Sequence, residues 1–77
     1  MSEQPDPVTR YDAFLASVAF ERSIVHREVV RAQTAGDFEG VIEAVACIAH
    51  LDKARLMMER GRESCIAHAA RRAGEIG

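Results

Sequence analysis

Both cysteines of this chain fall within one tetrapeptide that occurs twice, Cys47-Ile48-Ala49-His50 and Cys65-Ile66-Ala67-His68. A cysteine and a histidine three residues apart sit about one turn apart on a helix, and thiolate with imidazole is a zinc-type ligand set. Eighteen residues separate the two copies. On a single helix that is about 27 Å at 1.5 Å per residue, so one chain cannot gather the four ligands around one ion. Only an antiparallel dimer centred near Leu56 would set Cys47 of one copy beside Cys65 of the other. His50 and His68 would then complete two Cys2His2-like sites. The plainer reading makes both cysteines small residues on the apolar side of an alanine-rich helix, with both histidines on its polar flank. No metal or other cofactor is expected, and the metal-binding helical dimer stands as the alternative.

Other chemistry finds less support. His26 with Arg22 and Glu21 is no better as a ligand cluster, and Glu39 and Glu43 lack the Glu-x-x-His pattern of a diiron bundle. The chain has no Gly-x-Ser-x-Gly elbow, phosphate-cradling glycine loop or dinucleotide fingerprint. A Cys–His pair on one helix turn would have neither an orienting third group nor a pocket around it. The expectation is a protein without enzymatic activity. A small DNA-binding regulator is a further alternative, with Arg60, Arg62, Arg71 and Arg72 on the nearest candidate recognition helix. Glu59 and Glu63 dilute that basic face, and the helices are too long for a compact helix-turn-helix.

Composition points the same way. Seventy-seven residues make one small domain, with nearly half of them apolar but no tryptophan. Net charge is -2, spread evenly along the chain, which argues against a nucleic-acid surface. Charged residues interrupt every apolar stretch, so no membrane span is expected. A polar start without an apolar core is no secretory leader, and two cysteines in that setting suggest reduced thiols and a cytoplasmic protein.

The elements that must position these residues are helices. Residues 1–6 read as a disordered tail, with Asp6 and Pro7 forming a helix entry. Val8, Tyr11, Leu15, Val18, Arg22, Val25, Val29 and Ala32 then recur at alternating spacings of three and four, a helical period. Gly36 can close this helix and Asp37 can cap the next. The second stripe runs Val41, Ala44, Ile48, Leu51, Arg55 and Met58, and it keeps its phase through Arg62, Cys65 and Ala69. The fold expected is all-α: a long antiparallel hairpin with helices near 7–35 and 38–73. The second helix would be bent or locally weak near Gly61, the competing division being a helix to Arg60 and a short cap helix after Ser64. Residues 74–77 should fray.

A hairpin has no closed core, so apolar residues off the stripe call for a partner, another copy or a helical protein, that completes a bundle. Phe14, Phe20, Ile24, Leu51 and Met58 are the candidate interface. Arg22 and Arg55 interrupt the stripes, and an ideal hairpin brings them near Asp52 and Asp12, giving the candidate register-setting pairs Arg22–Asp52 and Arg55–Asp12. In length, glycine-containing turn and amphipathic helices the layout resembles small helical hairpins that act as chaperone partners in bacterial secretion systems. That likeness is one of form and brings no partner or binding residue with it. The function expected is non-catalytic protein–protein interaction, as an adaptor, chaperone-like subunit or regulator.

Overall fold

The computed structural model describes residues 6–76, and these form two helices packed as an antiparallel hairpin. α1 spans Pro7–Ala35 and α2 spans Phe38–Ile76. The expected tail lies outside the described residues except for Asp6, which serves as the cap: its Oδ1 accepts from the Val8 amide at 3.0 Å. At the other end of α1, Gly36 adopts the left-handed conformation with φ 70°. Its amide donates to the Gln33 carbonyl at 3.2 Å, and the Asp37 amide donates to the Ala32 carbonyl at 2.8 Å. This is a Schellman closure, satisfying carbonyls that a helix end leaves bare. Asp37 then caps α2, its Oδ1 accepting from the Gly40 amide at 2.9 Å. The reversal needs only Gly36 and Asp37. α2 continues past the expected end at Ala73 to Ile76.

The stripes read from the sequence form the seam between the helices. Val18, Val29, Ala32 and Ala44 are buried, while Val8, Tyr11, Leu15, Val25, Val41, Ile48, Leu51, Met58 and Cys65 are half-buried. Small residues close the seam near the turn, where Ala32 is fully buried. Farther out, longer side chains fill it.

α2 runs unbroken through Gly61, and the glycine has a tertiary reason. A Cβ at this position would lie 2.7 Å from the Tyr11 hydroxyl oxygen and 2.8 Å from two ring carbons. The Tyr11 ring occupies the space a side chain would fill. Glycine therefore marks a close approach on a continuous helix, at a propensity cost of about 1 kcal/mol relative to alanine.

Among the described residues two ion pairs cross the seam, and together they define one face of the hairpin. Arg22 Nε donates to Asp52 Oδ1 at 2.9 Å. The expected partner of Asp12, Arg55, does not reach it. Asp12 instead accepts from Arg62, with Nε–Oδ1 at 2.6 Å, and this bond holds the guanidinium pKa above its ordinary value. Arg55 stays on its own helix, 3.0 Å from Glu59 and 4.0 Å from Asp52. The correction is one of register. Tyr11 faces Gly61, so Asp12 lies beside the next arginine of the α2 stripe, one heptad beyond Arg55. Both cross-seam arginines stand on a stripe, and each reaches an aspartate flanking the opposite stripe.

Gly61→Ala sets overpacking against helix propensity, so its sign depends on Tyr11. In the native background we expect a net destabilisation of about 1 kcal/mol by urea denaturation, the ring being forced from its slot. With Tyr11→Ala already present, the same change should stabilise by up to about 1 kcal/mol. Equal effects in both backgrounds would remove this account of the glycine. For the ion pairs, a double-mutant cycle on Asp12 and Arg62 should give a small favourable coupling that shrinks in high salt, since both side chains are partly solvated. A cycle on Asp12 and Arg55 should give none.

Candidate functional site

The surface, not a cleft, carries the unexplained chemistry. The hairpin measures 62 × 26 × 12 Å, a layer one helix thick. Its radius of gyration is 18.0 Å, against about 11.5 Å for a compact domain of this length. Both broad faces meet solvent. One is the ion-pair face just described; on the other lie Tyr11 and Gly61.

Of the expected interface residues, the structure leaves Phe14, Phe20 and Ile24 exposed, Phe20 by 66%. They lie on the side of α1 turned away from the ion-pair face. Toward the turn this patch gives way to charge. There Glu28 accepts from Arg31 Nε at 2.9 and 3.0 Å and also from its Nη2. The hydrogen bond from Arg31 holds the Glu28 carboxyl below its ordinary range. Leu51 and Met58 belong elsewhere: both are half-buried in the seam, so they serve the hairpin first.

The larger exposed apolar surface was not among the expected residues. Phe38, Ile42, Val45, Leu56 and Ile66 on α2 are all exposed, Phe38 by 74%. With Ala49 and Ala70 they fall on a second stripe whose steps alternate three and four, three of those steps being acidic. Its phase places it beside Asp52 and Glu59, on the ion-pair face and about 100° around the helix from the seam. Val30 of α1, also exposed, lies on the same face. Asp52, Glu59 and Glu63 occupy steps of this stripe, which is why it does not read as apolar in the bare sequence.

The four residues of the doubled motif do not assemble. One continuous helix carries Cys47 and Cys65, and eighteen residues of helix keep them about 27 Å apart. Cys47 is exposed and Cys65 half-buried, both as free thiols. Among the described residues no three His, Cys, Asp or Glu side chains are grouped as a metal site. Cys65, His68, Ala69 and Arg72 line an open groove with Pro7 and Val8. Of the basic residues considered for nucleic acid, Arg62 is committed to Asp12. No helix among the described residues is long and apolar enough to cross a membrane.

Comparison of the chain with family models, with characterised proteins and with solved structures finds no match, so its functional reading rests on this surface.

Proposed function

We propose that this chain is a non-catalytic protein–protein interaction module, a hairpin that completes a helical bundle with a second copy or with a helical partner. Adaptor, chaperone-like subunit and regulator are the roles this would serve. The observation behind it is the single layer. Stable domains pack at least two layers so that each apolar stripe is covered. Here the accessible surface is 6239 Å², about a third more than the roughly 4,650 Å² of a compact chain of this mass. Phenylalanine, leucine and isoleucine side chains lie at the surface on both sides, and large contiguous apolar patches mark interaction sites. The two free thiols fit a reducing compartment, so the cytoplasm is the proposed setting.

Light scattering on the purified chain should give at least twice 8.5 kDa, or else a monomer whose exposed faces bind an apolar dye such as ANS. A stable monomer that binds no dye would remove the reading. Metal analysis after purification without chelator or affinity tag addresses the alternative. Stoichiometric zinc, lost on Cys47→Ser or Cys65→Ser, would replace this proposal with metal binding; metal-free protein of the same mass fits it.

A further inference from the structure

We propose that the ion-pair face is where two copies of this chain meet. The two-fold axis runs parallel to the helices, so α2 of each copy lies over α1 of the other and both turns share one end of a four-helix bundle. This rests on the interaction reading above and supplies its partner.

The geometry of α2 is the first support. Its two stripes, the seam and the row containing Phe38, Ile42, Val45, Leu56 and Ile66, stand about 100° apart. That is close to the right angle between the two neighbours of a helix in a square bundle. Size is the second support. On the same face α1 presents Asp12, Ala16, Ala19, Ser23, His26 and Val30, all exposed, with small residues through its middle. A large row on one helix and a small row on the other can interdigitate when each copy turns its large row onto its mate's small one.

Symmetry then fixes the level of the contacts. A two-fold axis parallel to the helices permits no slip along them, so each copy inherits the register of the hairpin itself. Tyr11 opposite Gly61 sets that register. It puts Leu56 at the level of Ala16, Ala49 at the level of Ser23 and Ile42 at the level of Val30, each pair formed between copies.

Charge selects this arrangement over the other face-to-face dimer. A two-fold axis across the helices would lay α2 on α2, lining up Asp52, Glu59 and Glu63 from both copies with no lysine or arginine in the row. Like charges so placed are destabilising. Over α1, Asp52 comes level with Ala19 and Glu63 with Thr9, while Glu59 comes level with Asp12, whose charge Arg62 offsets. Asp52 and Glu59 are already compensated within a chain by Arg22 and Arg55. The area also fits. The surface in excess of a compact chain is about 1,600 Å² per chain over both faces, enough for an obligate homodimer contact to draw on.

The test uses the full chain with Cys47→Ser and Cys65→Ser and a spin label on Thr34→Cys beside the turn. Scattering should report a dimer, and the label-to-label distance should be under about 30 Å. An arrangement with turns at opposite ends would exceed about 40 Å, the length of α1 at 1.5 Å per residue. Leu56→Asp should weaken dimerisation at least tenfold with helicity retained by circular dichroism, while Phe20→Asp should leave it unchanged. A long distance, or a dimer sensitive to Phe20→Asp and indifferent to Leu56→Asp, overturns this arrangement but not the interaction reading. A monomer that binds apolar dye overturns self-pairing and leaves a different helical partner. A monomer that binds none overturns both.

Discussion

Two helices can share only one seam. An apolar stripe covers roughly a third of a helix circumference, so a hairpin hides one stripe from each helix and leaves the remainder to water. This constraint governs the molecule. Among the described residues only Val18, Val29, Ala32 and Ala44 are buried, and the larger apolar side chains are at best half-covered. Van der Waals packing that a globular core supplies in all directions is here supplied along a line. The caps at Asp6, Gly36 and Asp37 matter correspondingly, because they satisfy helix ends that no surrounding structure covers.

A seam of this kind is prone to slip, since shifting one helix by a heptad exchanges one aliphatic contact for another. Two features oppose such a shift. Tyr11 fits only where the facing helix has no side chain, and Gly61 is that place. Arg22 with Asp52 and Asp12 with Arg62 add paired charges of opposite sense across the same seam. A one-heptad slip would lose the glycine slot and one of the pairs, since Arg22 would meet Val45 in one direction and Asp12 would meet Ala69 in the other. Partly solvated pairs contribute little to stability, so their weight lies in selecting among registers.

Much of this was legible in the residues because helical spacing is local information. The stripes, the turn at Gly36-Asp37 and the approach of Arg22 to Asp52 all follow from periodicity plus a short reversal. What escaped was tertiary. The partner of Gly61 lies fifty residues away at Tyr11, so the glycine reads as a weak point when it is a fitted one. An ideal hairpin misplaces Asp12 by less than a turn, enough to assign it Arg55 in place of Arg62. Leu51 and Met58 stand on the α2 stripe itself, and the structure gives them to the seam, not to an outward interface. The second stripe of α2 was hidden by its own acids at Asp52, Glu59 and Glu63. Arginines offset the charge of Asp52 and Glu59, and Glu63 still interrupts the row between Leu56 and Ile66.

The doubled Cys-Ile-Ala-His shows why equal sequence need not give equal surroundings. Eighteen residues are five turns of a straight helix, which would place both copies on one side. A seam followed at seven residues per two turns drifts against that period by about 20° per heptad, or about 50° over this interval. Cys65 accordingly falls in the seam, half-buried, while Cys47 falls on its flank, exposed. Both lie on the side of Tyr11 and Gly61, away from the ion pairs. A metal-bridged dimer through these motifs would therefore use the face opposite the one with the Phe38, Ile42, Val45, Leu56 and Ile66 row. Within a single pair of chains the two arrangements exclude each other. Apolar area and charge compensation both favour the ion-pair face.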